Sequence, residues 1–349
     1  MNTSPAPRRD SIARTHDQAH GQADGQNWRP TADLAALRLR AETLARIRGF
    51  FGERGVLEVS TPLLATTTAT DPHLASMEVH CPTCPARTGA GRAGRLFLQT
   101  SPEFFMKRLL AAGSGPIFQI GKAFRAGERG THHNPEFTLL EWYRPGFDRE
   151  GLMREVESLV RSLLPIGPAR RMTYLDAFQR YAGLDPFRAP LSTLRDHAIR
   201  LGATTQDARS FDRDTCLDLI SSRIVQPALG QGAVFISHFP ASQAAMARLA
   251  PHDPLVAERF ELFVDGVELA NGYHELTDSR EQRRRFLADG ETRKRMGLAE
   301  TPLDERLLMA LDHGLPDCAG VALGVDRLLM LLSGATDLNA VMAFPFSRV

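Results

Sequence analysis

The sequence predicts an α+β fold, a mostly antiparallel sheet flanked by helices, and three segments carry that prediction. Residues 117 to 144 hold two strand-like apolar runs on either side of a polar loop. Asp265-Gly266 stands between two alternating apolar runs, the strongest short hairpin signal a sequence offers. Residues 320 to 330 read as a strand turning directly into a helix. At 349 residues and 43% hydrophobic, the chain can bury a substantial core, and its length sets a soft prior of about two domains.

Composition excludes more than it assigns. A net charge of +1 supplies no global field to attract a polyanion, so bulk electrostatics do not favour a nucleic-acid partner. The apolar runs fall short of the roughly 18 residues that a bilayer span needs. Arg8-Arg9 is followed by no apolar segment, so a cytoplasmic location with no membrane partner is the expectation. Cys81, Cys84, Cys216 and Cys318 are too few and too scattered for a disulfide framework, and a reduced compartment fits them. Cys81 and Cys84 have the spacing of half a zinc site, but no second pair follows, and residues 80 to 95 read as a surface hairpin tip.

Taken in order, residues 1 to 30 are polar and Pro-, Gly- and Gln-rich, the mark of a disordered tail. Leu34, Leu37, Ala41, Leu44, Ile47 and Phe51 then form one apolar stripe, which predicts a core helix ending by Gly55. The run from Val56 to Pro62 predicts a strand terminated by proline, at a sheet edge or a chain exit. A short strand at 96 to 99 leads to a helix opened by Ser101-Pro102-Glu103, where Thr100 or Ser101 can cap. Glu103 there is either a capping-region acid or a functional one. Residues 149 to 230 are mostly helical, carry no cluster of catalytic residue types and read as an insertion between strands.

The polar loop of the first hairpin begins with Arg125 and ends with Asn134-Pro135-Glu136-Phe137, which reads as a hairpin built to hold a nucleotide. Period-two alternation puts Phe137, Leu139, Glu141 and Tyr143 on one face of its second strand. An unpaired buried carboxylate costs several kcal/mol or protonates, so Glu141 requires a cation beside it. In the second hairpin a two-residue turn pairs Val264 with Val267 and sets Glu261 opposite Ala270. Glu261 and Glu268 then share a face about 7 to 8 Å apart. They form either a solvated face or a site for Mg²⁺ on phosphate oxygens. Glu275 has the wrong parity for that face unless the strand bulges, and Asn271-Gly272 is the predicted bulge. In the last segment Gly324 permits close backbone approach and Arg327 reaches a polyphosphate from the first helical turn.

The Arg125 hairpin, the acidic pair and the Gly324 to Arg327 turn together resemble the three-motif catalytic domain of class II aminoacyl-tRNA synthetases, from about residue 33 to 349. Ser101-Pro102-Glu103, the run HNPEFT from 133 and the run ELANGYHEL from 268 are similar to the lysyl branch. The resemblance implies one catalytic domain over residues 31–349 and a homodimer. It further implies ATP held by Arg125, Ala126, Gly127, His133, Asn134, Phe137, Glu268, Leu269, Gly324 and Arg327, with Arg125 and Arg327 catalytic. Glu261 and Glu268 would bind Mg²⁺. Ser101, Pro102, Glu103, Glu141, Tyr143, Asn271, Glu275 and Ala322 would form the amino-acid pocket. Motif 2 departs from the family's Arg-x-Glu, since Glu128 comes one residue late after Arg125-Ala126-Gly127.

Lysyl enzymes carry an anticodon-binding barrel before this domain, whereas here only the polar tail precedes the first helix. That layout is similar to the synthetase paralogues that activate (R)-β-lysine and attach it to a lysine side chain of elongation factor P. Ala322, where lysyl-tRNA synthetases usually have glycine, agrees with such a change of pocket. The implied acceptor is therefore elongation factor P rather than tRNA. Two rivals are a minimal lysyl-tRNA synthetase and a module that senses an amino acid or ATP without turnover.

Overall fold

The computed structural model describes residues 28–82 and 94–349. The tail expected over residues 1 to 30 lies outside the described residues as far as residue 27, and so do 83–93 of the expected hairpin tip, Cys84 included. Cys81 is disulfide-bonded, against the expectation of reduced cysteines.

The main sheet runs from edge to edge as β1 (Leu57–Glu58), β5 (Ile117–Phe124), β6 (Glu136–Pro145), β12 (Cys318–Gly324), β11 (Val267–His274), β10 (Asp253–Val264), β8 (Ala233–Pro240) and β7 (Arg170–Thr173). A short strand β9 (Leu249–Ala250) pairs beside β10. Only the two edges, β1 on β5 and β7 on β8, pair parallel. A small sheet of β2 (Leu64–Ala65), β4 (Arg95–Leu98) and β3 (Glu78–His80) stands apart. The α+β class with a mostly antiparallel sheet is therefore what the chain forms.

One face of the sheet is covered by α1 (Leu34–Gly52), α3 (Arg149–Leu163) and α11 (Val325–Ser333), around a core that includes Ile47, Phe51, Trp142, Leu152, Phe260 and Leu329. The Asp33 carboxylate caps α1 by accepting from the Ala36 N–H, which offsets one of the helix's orphan donors. Its buried side is rotated from the predicted stripe: Leu34 and Ala41 are exposed, while Thr43 and Phe50 are buried. The helix ends at Gly52, within the expected bound of Gly55.

The opposite face has two separate coverings. At the β5 and β12 end, α2 (Glu103–Ala111), α9 (Ser279–Arg295) and α10 (Glu305–Gly314) pack Met106, Phe286 and Leu307 around Ile117 and Tyr143. At the β8 end, α4 (Tyr174–Ala182), α5 (Leu191–Arg200), α6 (Thr205–Ser210), α7 (Arg213–Ile220) and α8 (Gln226–Ala228) enclose Phe178, Leu217 and Phe263. The segment expected as a helical insertion thus contributes α3 to the main core and β7 to the sheet itself. Only α4 to α8 form a separate apolar cluster. Between the two coverings the sheet face stays open.

The Asp265-Gly266 turn has both residues at positive φ, 51° and 79°, as a type I′ hairpin requires, and Val264 pairs with Val267 as expected. The bulge does not fall at Asn271-Gly272. Pairing shifts between Leu262 and Phe263, so that Glu261 stands opposite Asn271 rather than Ala270. Leu269 and Ala270 both turn into the core with Leu262, the two-against-one pattern of a β-bulge. Gly272 serves a different need, because a Cβ there would come within 2.4 Å of the Phe260 ring.

Candidate active site

The open part of the sheet face is a cavity of about 870 Å³. Of the residues proposed from the sequence, all but Pro102, Ala126, Gly127 and Glu261 line it. The bulge in β11 makes this possible. By skipping one residue it lets Glu268, of even number, share a face with Asn271, Tyr273 and Glu275, of odd number.

At one end lie carboxylates. Ser101 Oγ accepts from the Glu103 N–H at 3.2 Å and opens α2, which presents Glu103 and, one turn on, Lys107. Lys107 is fully buried, with Nζ 2.7 Å from Glu103 Oε1 and 2.6 Å from Glu275 Oε2. Glu141, on β6, accepts a 2.8 Å hydrogen bond from the Tyr143 hydroxyl at Oε1, while its Oε2 has no partner. Glu275 Oε1 has none either. Burial first, then the negative charge of Glu103, pushes the Glu141 carboxyl up to about 8. Burial likewise raises Glu275 to about 7 against the pull of Lys107. Burial alone would lower the Lys107 pKa, but Glu103 and Glu275 outweigh it and hold the ammonium charged. Glu141 and Glu275 are therefore poised near neutrality and short of positive charge.

The floor between them is backbone. Ala322 pairs with Glu141 on one side and Asn271 on the other. Gly320, one residue pair along, leaves room for the Tyr143 ring and Glu275 Oε1, which a Cβ would approach to 2.3 Å and 2.6 Å.

At the other end lie two arginines. Arg125 sits 5.1 Å over the Phe137 ring and 3.5 Å from Glu128 Oε1, so the displaced glutamate of the loop does reach the arginine that precedes it. The loop is pinned by its backbone: the Arg125 N–H donates to Pro135 O and the Ala126 N–H to Ala75 O, which removes Ala126 from the cavity wall. Gly127 takes φ 81°, a turn conformation. Arg327 follows Gly324, the residue before α11, and donates to Glu268 O at 2.8 Å and His132 O at 3.2 Å. Its Nη2 meets His133 Nε2 at 2.9 Å. Burial, then the Arg327 charge, lowers the His133 pKa, so the neutral ring accepts from the guanidinium. Asn134 lines the cavity but spends its amide elsewhere, donating to Glu136 O and accepting from the Phe346 N–H.

Several contributors carried no clear sequence signal. Lys107 is readable only as an i,i+4 partner of Glu103, since its second partner lies far along the chain. Asp326 is buried and accepts from the Thr138 N–H at 2.6 Å while pairing with Arg40 of α1. Arg259, half-buried, donates to Glu261 Oε1 at 2.5 Å and to Asn271 Oδ1 at 3.3 Å. That bond explains why Glu261 stands behind the cavity wall. Burial, together with Glu268, keeps the Glu261 carboxyl raised to about 7 despite Arg259.

Glu261 and Glu268 remain electrostatically coupled on one sheet face, and Glu268 lines the cavity. Two hard carboxylates of this kind fit a hard divalent cation completed by phosphate oxygens and water, though one Glu261 oxygen is taken by Arg259. No group of three or more metal-type side chains occurs among the described residues. Nor is any helix among them long and apolar enough to cross a membrane.

Comparison with known proteins fits this geometry. Residues 27–348 match the family model of class II tRNA synthetases (D, K and N). The chain is 49% identical over 324 residues to an elongation factor P–(R)-β-lysine ligase of Pseudoalteromonas translucida, covering 92% of this chain and 98% of the relative. A ligase of the same name from Vibrio cholerae is 49% identical over 323 residues, with the same coverage of 92% and 98%. Another from Hamiltonella defensa is 47% identical over 329 residues, covering 93% and 99%.

Proposed function

The chain belongs to the class II tRNA synthetases of the D, K and N type, and on that premise we propose that it is an ATP-dependent ligase joining (R)-β-lysine to a lysine side chain of elongation factor P. The observation that carries the reading is one cavity with three buried or half-buried carboxylates, Glu103, Glu141 and Glu275, at one end and Arg125 and Arg327 at the other. A substrate with two ammonium groups and a carboxylate suits the first end, and a triphosphate suits the second. The names of the relatives supply the acceptor and the isomer.

In the first step a substrate carboxylate oxygen attacks the α-phosphorus of ATP and the bond to pyrophosphate breaks. In the second the acceptor amine attacks the acyl carbon, AMP leaves with the bonding electrons, and the amine's proton passes to solvent. Neither step needs a protein nucleophile. Arg125 would neutralise the α-phosphate, Arg327 the γ-phosphate, and Phe137, whose ring lies 5.1 Å from the Arg125 guanidinium, would stack on the adenine. Glu128, 3.5 Å from the Arg125 guanidinium, would take the adenine contact of the missing motif 2 glutamate. Mg²⁺ held by Glu268 and Glu261 would add charge neutralisation on the phosphates. We assign the enzyme to the cytoplasm, as a homodimer, with residues 31–349 as its catalytic domain.

Incubation with ATP, (R)-β-lysine or α-lysine, and either elongation factor P or tRNA, followed by intact mass measurement, tests this. The expected product is elongation factor P heavier by one β-lysyl group, and a charged tRNA instead would defeat the reading. Arg125→Ala should cut ATP–pyrophosphate exchange by roughly 10²–10³ or more, the cost of one preorganised charge-stabilising donor.

A further inference from the structure

We propose that Lys107 is the residue that sets the charge of the amino-acid pocket: buried between Glu103 and Glu275, its single ammonium leaves three carboxylates two positive charges short, so the pocket selects substrates that bring two.

The geometry carries this. Lys107 is 0% exposed, and Nζ reaches one oxygen of Glu103 and one of Glu275 while touching neither the cavity nor solvent. It therefore acts through the two carboxylates, holding each by one oxygen. Glu275 Oε1 and Glu141 Oε2 are buried without hydrogen-bond partners, and both residues line the cavity. Buried acceptors are normally satisfied, so two orphaned carboxylate oxygens at one cavity end point to a cationic ligand that supplies the donors. Composition points the same way. Lysine occurs at only three of 42 basic positions, so arginine is the chain's default cation, yet the pocket keeps a compact ammonium. The charged and titratable groups packed against this cluster are Glu141 and Tyr143 from β6, Tyr273 from β11, Cys318 from β12 and Arg248, whose guanidinium donates to Glu275 O. Of these only Arg248 adds a positive charge, and it lies on the backbone side of Glu275. In the free protein protons stand in for the missing cations, and a bound diammonium substrate displaces them.

The inference rests on the diamine reading of the site, and proton counting separates the two. Calorimetry of (R)-β-lysine and α-lysine binding near pH 7, in buffers of different ionisation enthalpy, gives the protons released per substrate bound. Wild-type protein should release protons. Lys107→Met should release more, bind about tenfold or more weakly at pH 7 and recover affinity as pH rises, because its carboxyls hold their protons more tightly. Lys107→Gln, which also removes the charge but keeps a polar side chain between the two carboxylates, should give the same excess and stands in if the methionine variant does not fold. A merely structural lysine would lower thermal stability in both variants and leave their proton counts at the wild-type value, which overturns the inference while the diamine reading survives. Wild-type protein that binds neither diamine overturns both.

Discussion

At the scale of the residue, Gly320 makes the sharpest statement. Strand β12 lies between β6 and β11, so its backbone is held by ladders on both sides and cannot retreat. A methyl group at Gly320 would overlap the Tyr143 ring and Glu275 Oε1 at once. The strand cannot yield, so these two pocket side chains must. Gly320→Ala should therefore lower stability by about 1–3 kcal/mol, the usual cost of overpacking a close contact. It should also raise the KM for the amino acid in pyrophosphate exchange while leaving that for ATP near the wild-type value. Urea denaturation and the two KM values check this, and an unchanged amino-acid KM would mean that the glycine only eases packing. Two glycines four apart in β12, Gly320 and Gly324, thus differ in kind, for a Cβ on Gly324 meets nothing closer than 3.6 Å. Sequence inspection marks Gly324 because it precedes Arg327 and passes over Gly320, because close approach to a side chain far along the chain leaves no local trace.

At the scale of the element, the site depends on how β11 and α11 are seated. The need for a bulge in β11 was legible, because Glu268 and Glu275 cannot share a face of a regular strand. Its position was not: Gly272 drew it, but that glycine is required by the Phe260 ring, and the extra residue is Leu269. A glycine in a strand reports that a Cβ is unwelcome without reporting why. The strand-to-helix turn at Gly324 was equally legible, yet what fixes the helix start is Asp326, which ties α11 to β6 through Thr138 N and to α1 through Arg40. Those partners lie some 190 and 290 residues away and leave no pattern in the chain. Asp326→Ala would strand a buried N–H and a half-buried guanidinium together, and should cost about 3–5 kcal/mol as when a buried pair loses one member. Arg327, the next residue, would lose its fixed approach to Glu268. Equilibrium unfolding should show the loss, and the KM for ATP should rise more than that for the amino acid. The reverse order would place Asp326 in the service of the amino-acid pocket instead.

At the scale of the whole molecule, the sheet concentrates acids that Lys107 and Arg259 neutralise only in part. Glu141 is raised to about 8, and Glu275 and Glu261 to about 7, in each case chiefly by burial, against an ordinary value of 4.5. The sign follows from proton counting. Between the unfolded and folded pKa values the folded chain binds more protons than the unfolded one, so stability must fall as pH rises through that window. Below about pH 4.5 these groups are protonated in both states and contribute no slope; above about 8 their penalty is complete. These three carboxyls should therefore cost the free protein roughly 2–4 kcal/mol between pH 5 and 8, opposed below about pH 6.5 by His133, His197 and His238, whose pKa values burial lowers. Glu281, lowered to about 2 by its hydrogen bond with Arg284, titrates outside this range and does not offset the fall. A diammonium substrate binds the ionised pocket and should reverse much of the loss. The rise in melting temperature on adding saturating (R)-β-lysine is then expected to be larger at pH 8 than at pH 6. Calorimetric scans at the two pH values decide it: equal rises would mean that Glu141 and Glu275 do not change protonation when the amine binds, and that the pocket recognises shape rather than charge.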